Sequence, residues 1–194
     1  MRTFETMVDH ASATFAAAAL DEGLVDVATT VVDTPVGDLL VAAVDGAIVR
    51  VAFDVEDHHV VQEQLAATIG PRVVEAATPE LVAAREQLDS YFRGERGSFD
   101  LPLDLRLARG PFRREVLELL RQIPTGTTRT YAELAVIAGR PKAVRAVGSG
   151  CATNPVPIVV PCHRVLRTGG ELGGYLGGVA RKQWLLDHER RIAA

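Results

Sequence analysis

The chain has 194 residues, of which 47% are hydrophobic and 24% are charged, proportions that suit a globular protein able to bury a core. No apolar run approaches the ~18 residues that a membrane span needs, and two cysteines are too few for a disulfide framework. The net charge is −4, but the charges are unevenly distributed: residues 1–105 carry 6 basic and 19 acidic residues, and residues 106–194 carry 15 basic and 6 acidic residues. This asymmetry favours a polyanion-binding surface in the second half. Uneven solvation of two domains would give the same asymmetry.

Residues 1–25 contain an alanine-rich apolar stretch at 11–20. The residues before this stretch lack the positive charge that opens a secretory signal, so we interpret residues 1–25 as a helical extension. Free thiols and the absence of a signal predict a cytoplasmic protein.

A β region follows the extension. Strands are predicted at 27–32, 38–44 and 47–53, with a turn at 34–37 and a hairpin at Asp45-Gly46. Helical periodicity then predicts helices over 56–69 and 79–92, and residues 100–107 are a predicted linker.

The second half is predicted to be mainly helical. Helices are expected over 111–122, 130–138, 142–152 and 179–190, with a glycine-rich loop at 169–178. Thr130, followed three residues later by Glu133, forms a capping-box pattern. Because a tight glycine-containing turn joins the second and third of these helices, they indicate a helix-turn-helix.

Cys162 and its neighbour His163 are the candidate catalytic pair. A thiolate is the competent nucleophile, and a base or a positive field is needed to form it. In a regular strand the two side chains would point to opposite faces, but Pro161 favours a turn or the first turn of a helix, where the helix dipole would lower the thiol pKa. A buried structural cysteine beside a surface histidine is the alternative.

Small residues dominate the predicted helix 142–152, and Arg145 is the long side chain near its middle. Ala146 and Gly148 allow close approach of a backbone but read little sequence, which suits DNA binding by shape. Tight packing against a neighbouring helix requires small residues equally.

The loop around Tyr175 could wall a pocket for a planar ring, or it could be a flexible surface loop. A metal site is not expected, because the five histidines form no ligand cluster with the cysteines at zinc spacing.

These residues together resemble a known family. Residues 112–189 closely resemble the catalytic domain of O6-alkylguanine-DNA alkyltransferases, and residues 27–105 look like the family's more variable N-terminal domain. The resemblance rests on the segments Ile123-Pro124-Thr125-Gly126, Thr130-Tyr131, Arg145-Ala146-Val147-Gly148, Asn154-Pro155, Val160-Pro161-Cys162-His163-Arg164-Val165, Gly174-Tyr175, Trp184-Leu185-Leu186 and His188-Glu189.

The resemblance implies roles for individual residues. Cys162 would accept the alkyl group, His163 would deprotonate it through a water, and Glu189 would orient His163. Asn154 would hold the turn before the active site, and Arg145 would enter the base stack where the damaged nucleotide has left it. The expected DNA and guanine contacts are Tyr131, Ala146, Gly148, Val165, Tyr175, Leu176 and Lys182.

The fold implied is an α/β N-terminal domain with a short, ribonuclease H-like sheet, followed by a mainly helical, winged-helix-like domain with a helix-turn-helix. The expected division is 1–25, 26–105 and 106–194. The function implied is single-turnover, irreversible transfer of an alkyl group from O6-alkylguanine, and by extension O4-alkylthymine, to Cys162. We expect no cofactor and no zinc, since the N-terminal half has no cysteine, and a monomer that binds double-stranded DNA largely without sequence specificity and does not bind membranes.

Two rival functions remain open from the residues alone. A helix-turn-helix sensor would bind DNA with Cys162 merely buried, and a cysteine hydrolase would turn over repeatedly through Cys162 and His163.

Overall fold

The computed structural model describes residue 16 and residues 18–193, so most of the predicted extension at 1–25 lies outside the described residues. Residues 18–21 are helical.

The N-terminal domain is built on a four-stranded sheet with the strand order β3-β2-β1-β4. The first three strands form an antiparallel meander, and β4 pairs with β1 in parallel. The strands are β1 (Val27–Val32), β2 (Leu39–Val44), β3 (Ala47–Phe53) and β4 (Val73–Glu75).

The hairpin between β2 and β3 follows directly from the sequence. Asp45 and Gly46 have φ of 50° and 78°, the left-handed conformation that a two-residue hairpin turn requires and that glycine and aspartate tolerate. This predicted turn and the three strands around it are confirmed.

Two helices, α1 (His58–Thr68) and α2 (Pro79–Phe92), cover opposite faces of the sheet. Leu40 of β2 packs in a cluster with Leu65 of α1, whereas Leu39 packs in the main core with Leu88 of α2. Every residue of β2 is buried, which explains why this central strand lacks polar alternation.

The segment 100–107, predicted as a linker, also serves the sheet. The backbone of Ile48 pairs with this segment through Ile48 N to Pro102 O at 2.8 Å and Asp104 N to Ile48 O at 3.0 Å. It therefore covers part of the β3 edge before the chain enters the second domain.

The C-terminal domain is mainly helical. Its elements are α3 (Pro111–Arg121), β5 (Arg129–Thr130), α4 (Tyr131–Ile137), α5 (Val144–Ala152), β6 (Val165–Leu166) and α6 (Val179–Ile192), and β5 pairs with β6 in parallel.

The predicted capping box at Thr130 is confirmed: its hydroxyl accepts from Glu133 N at 3.1 Å, and the Glu133 carboxylate accepts from Thr130 N at 2.6 Å. The predicted helix 142–152 begins two residues later, so Arg145 lies in the first turn of α5 and not near its middle. In the part of the chain that is described, no helix has the length and apolarity to cross a membrane.

Candidate active site

Cys162 lies at the start of a three-residue 3-10 helix, Cys162–Arg164, directly after Pro161. This agrees with the expectation that Pro161 ends extended structure and starts a helical turn. The segment before it is held by backbone hydrogen bonds, including Val160 N to Val156 O at 2.9 Å, and it bends at Ile158, whose φ is 74°. The turn presents the Cys162 thiol in a buried position, with only 3% of the residue exposed.

Asn154 fixes this turn and contacts the thiol. Its fully buried side chain donates from Nδ2 to Val160 O at 2.8 Å and to Cys162 Sγ at 3.1 Å, and its Oδ1 accepts from Val156 N at 3.0 Å. A hydrogen bond donated to sulfur stabilises the thiolate relative to the thiol.

Burial outweighs the expected lowering of the thiol pKa by the start of the helical turn. Burial raises the pKa of Cys162 to about 11, although the Asn154 hydrogen bond and the Lys182 charge oppose the rise. Three residues of 3-10 helix carry too little dipole to offset the desolvation of a thiolate. The thiol is therefore protonated at neutral pH and needs a base when it reacts.

His163, the residue after Cys162, forms a buried pair with Glu189 of α6. His163 Nε2 lies 2.8 Å from Glu189 Oε1. Because an ionised carboxylate only accepts, Nε2 carries the proton and Nδ1 is left with its lone pair. Nδ1 is buried and has no hydrogen-bond partner among the described residues, so it is the atom of this pair that can take a proton.

Two residues that the sequence reasoning did not assign complete the carboxylate site. Arg164 donates from Nε to Glu189 Oε2 at 2.8 Å and from Nη2 to Oε1 at 2.7 Å, and Tyr91 of α2 donates its hydroxyl to Oε1 at 2.9 Å. Arg164 belongs to the segment Val160–Val165 that carries the family resemblance, whereas Tyr91 lies in the predicted helix 79–92 with no sign of a role in the site.

The charges of this network determine the protonation states. Burial acts to raise the pKa of Glu189, but the hydrogen bonds from His163 and Arg164, together with the Arg164 charge, outweigh it and hold the pKa at about 2. Burial lowers the pKa of His163, and Arg164 and Lys182 lower it further against the opposing effect of Glu189. His163 is thus neutral at physiological pH and able to act as a base.

Lys182 brings a second cation to the site. Its buried Nζ donates to Val165 O at 2.6 Å, and burial lowers its pKa against the opposing effect of the cysteine thiols. Val165 thus supplies a carbonyl to Lys182, and Lys182 supplies positive charge near Cys162. Contact of either residue with DNA or guanine stays a prediction.

Two tyrosines flank the thiol. The Tyr131 hydroxyl lies beneath Gly173, where an added Cβ would come within 2.6 Å of it. The Tyr175 ring lies 6.3 Å from the His163 ring between centroids, and its buried hydroxyl has no partner among the described residues. Burial raises the pKa of both hydroxyls, which keeps them available as hydrogen-bond donors.

Helix α5 has one packed and one open face. An added Cβ at Gly150 would lie 3.1 Å from Val116 of α3, so this glycine serves helix packing. Arg145 and Ala146 are exposed, and Gly148 is half-buried. A Cβ added at Gly148 would lie 4.0 Å from the Tyr131 ring, which is an ordinary contact distance. Helix packing therefore explains Gly150, whereas close approach of DNA to the exposed face of α5 stays a prediction.

Among the described residues, Leu176 and Cys151 make no hydrogen bond to Cys162 Sγ, whose side-chain partner is Asn154. Leu176 lines a cavity of about 350 Å³ between the domains, together with Arg50 and Asn154. Cys151 is buried on the inner face of α5 as a free thiol, and burial raises its pKa far above that of an ordinary cysteine.

The fold and this site define a DNA-binding class of protein with a helix-turn-helix and a buried nucleophilic cysteine. Family models agree: residues 27–105 match "6-O-methylguanine DNA methyltransferase, ribonuclease-like domain", and residues 111–191 match the DNA binding domain of the same family. The chain is 40% identical, over 83% of its length and 94% of the relative, to the constitutive methylated-DNA--protein-cysteine methyltransferase of Bacillus subtilis.

Solved structures give the same result. The chain resembles the crystal structure of the Mycobacterium tuberculosis O6-methylguanine methyltransferase, with 34% identity, a TM-score of 0.74, and coverage of 87% of this chain and 95% of that one. A DNA complex of the M. tuberculosis protein matches at 36% identity and a TM-score of 0.70, over 86% and 93% of the two chains. The chain belongs to the 6-O-methylguanine DNA methyltransferase family, and it is a DNA-binding methyltransferase of DNA repair.

Proposed function

We propose that this protein transfers the alkyl group of O6-alkylguanine in double-stranded DNA to Cys162 Sγ, once per molecule. The observation that carries the proposal is the Cys162 thiol, hydrogen-bonded by Asn154 and backed by a neutral His163 whose Nδ1 is open and whose Nε2 is held by Glu189. A nucleophile, a base and a group that orients the base are the parts that this chemistry requires.

The proposed step is an in-line displacement. The Cys162 proton passes through a water to His163 Nδ1, Sγ bonds to the alkyl carbon, and the O6–carbon bond breaks with its electron pair going to guanine. Guanine regains a proton as it leaves, so the thiol's proton balances the reaction and no further reactant is needed. Lys182 stabilises the developing thiolate. A thioether has no easy route back to the thiol, so each molecule acts once.

Binding requires the damaged nucleotide to leave the duplex. Cys162 is 3% exposed, so a base that stays stacked in a duplex cannot reach its thiol. The exposed Arg145 would fill the gap in the base stack, and the hydroxyls of Tyr131 and Tyr175 would face the extruded guanine. The smaller exposed residue Ala146, with Gly148, would let the DNA backbone approach α5.

Several finer statements belong to the same proposal. Binding is largely independent of sequence, because α5 presents few side chains that read bases. The protein acts as a monomer, since one chain supplies every group named above. The cytoplasm is its expected location, and O4-alkylthymine is expected as a second substrate. The division of the chain at residues 26–105 and 106–194 is supported by the ranges of the two family matches.

The test is incubation with duplex DNA containing O6-methylguanine, followed by intact-protein mass measurement and peptide mapping. We expect a gain of one methyl group on Cys162 and none in Cys162→Ala, which should still bind DNA. Cys151→Ala is the matched control and should be methylated like the wild type. A protein that binds the DNA but gains no methyl group would be a sensor, and one that releases product repeatedly without label would be a hydrolase.

A further inference from the structure

The glycine-rich loop 173–178, which carries Tyr175, is anchored at both ends against aromatic rings. At one end Gly173 lies on the Tyr131 hydroxyl, within the C-terminal domain. At the other end Gly177 lies on Phe53, where an added Cβ would come within 2.9 Å of the ring. Phe53 is the fully buried last residue of β3, so the second anchor belongs to the N-terminal domain.

Phe53 also contacts the loop's functional residue. Its ring meets the Tyr175 ring edge-on, with centroids 5.6 Å apart at 68°. Edge-to-face aromatic pairs have a preferred geometry, so this contact fixes the ring orientation of Tyr175 as well as burying it. The position of the Tyr175 hydroxyl therefore depends on a residue of the other domain.

An ion pair closes this anchor from the outside. Arg181 of α6 lies over the Phe53 ring at 5.6 Å and donates to both carboxylate oxygens of Asp54, at 2.7 and 2.9 Å. It also donates to the Gly177 carbonyl at 3.3 Å. Gly37, with φ of 94°, makes room for the pair, because a Cβ there would lie 2.6 Å from Asp54 Oδ2.

We propose that Phe53 is a specificity-determining residue, which limits the size of the alkyl group that Cys162 accepts by holding the 173–178 loop closed. The inference rests on the proposed function. A thiol that is 3% exposed leaves little room for a large substituent, so a bulky group needs the loop to move aside. Weakening the anchor lowers the cost of that movement, while it leaves Tyr175 less well placed for a methyl substrate.

The experiment compares transfer rates to Cys162 from one duplex that carries either O6-methylguanine or O6-benzylguanine. We expect Phe53→Leu to raise the benzyl-to-methyl rate ratio about tenfold, the lower end of the effect of one methylene in an apolar pocket. Arg181→Met should raise it less, and because the Arg181 side chain is 21% exposed this variant tests the anchor without opening the core. Leu40→Ala is the control, since Leu40 lies in the core on the opposite face of the sheet.

The experiment distinguishes failure of the proposed function from failure of the role of Phe53. A wild-type protein that transfers neither group overturns the proposed function. When the wild type is active, an unchanged or lower ratio in both anchor variants overturns the role of Phe53, whatever happens to their melting temperatures. A ratio that rises equally in Leu40→Ala also overturns it, because general loosening of the N-terminal domain would then be the cause.

Discussion

Arg164→Met is expected to expose how strongly the buried carboxylate depends on its cation. Arg164 is buried and donates twice to Glu189, and it also donates from Nη1 to Ile123 O at 2.5 Å and from Nη2 to Gly97 O at 3.1 Å. Methionine keeps an apolar stem in the same space but makes none of these bonds. Glu189 is then left with His163 and Tyr91 as its donors.

The magnitude follows from burial. Removing one partner of a buried ion pair leaves an uncompensated charge and costs about 3–5 kcal/mol. For a protein of this size, about 2–4 °C of melting temperature corresponds to 1 kcal/mol, so the melting temperature at pH 7 should fall by about 6–20 °C. Arg164→Met combined with Glu189→Gln should recover part of this loss, because no charge is then left unpaired.

The pH dependence gives an independent check. The pKa of Glu189 is held at about 2, below its ordinary value of 4.5, so its ionisation stabilises the folded state above about pH 4.5. This contribution, about 3 kcal/mol by linkage, is lost as the pH falls towards 2. Without Arg164 the pKa of Glu189 rises towards its ordinary value, so the variant loses less stability than the wild type when Glu189 is protonated. The difference in melting temperature between the wild type and Arg164→Met should therefore become smaller as the pH falls.

Thermal melting followed by circular dichroism between pH 3 and pH 8, at one ionic strength, measures both effects. Arg121→Met is the matched control, because Arg121 is 42% exposed and pairs with Glu118 on the surface of α3. We expect its free energy of unfolding to change by less than about 0.5 kcal/mol. The reasoning is refuted if the melting temperature of Arg164→Met at pH 7 lies within about 2 °C of the wild type, which corresponds to less than ~1 kcal/mol. It is also refuted if the difference in melting temperature grows as the pH falls.

Three further outcomes test the DNA interface and the alkylated state. Arg145→Ala should slow repair of duplex DNA at least about tenfold and leave reaction with free O6-benzylguanine nearly unchanged, because only the duplex requires extrusion; equal slowing would assign Arg145 to the fold. Arg129→Ala and Arg167→Ala, exposed residues on and beside the β5–β6 pair, should each reduce the slope of log affinity against log salt by about one in a titration of undamaged DNA; an unchanged slope places them outside the interface. Benzylation of Cys162 should lower the melting temperature and DNA affinity more than methylation does, since overpacking typically costs ~1–3 kcal/mol; unchanged values for the benzylated protein would show that the site has room to spare.

Much of the fold follows from local signals. Asp45-Gly46 specifies a hairpin through backbone conformation alone, and Thr130 with Glu133 specifies a helix start through two hydrogen bonds within four residues. Strand β4, three residues long, was not predicted, because its hydrogen bonds go to β1, more than forty residues away, and no local pattern records that pairing. The β5–β6 pair escaped prediction for the same reason.

The sequence by itself determined the chemistry present: a cysteine and a histidine joined in a turn-forming segment, on the basic half of the chain, with the motifs of a family of alkyltransferases. The tertiary structure decided how those groups behave. It raises the pKa of Cys162 where the local helix suggested a lower value, and it gives Glu189 two donors, Arg164 and Tyr91, that local patterns did not connect with it. The physical reason is that desolvation and hydrogen bonding depend on everything packed around a group, and those neighbours come from elements that only folding brings together.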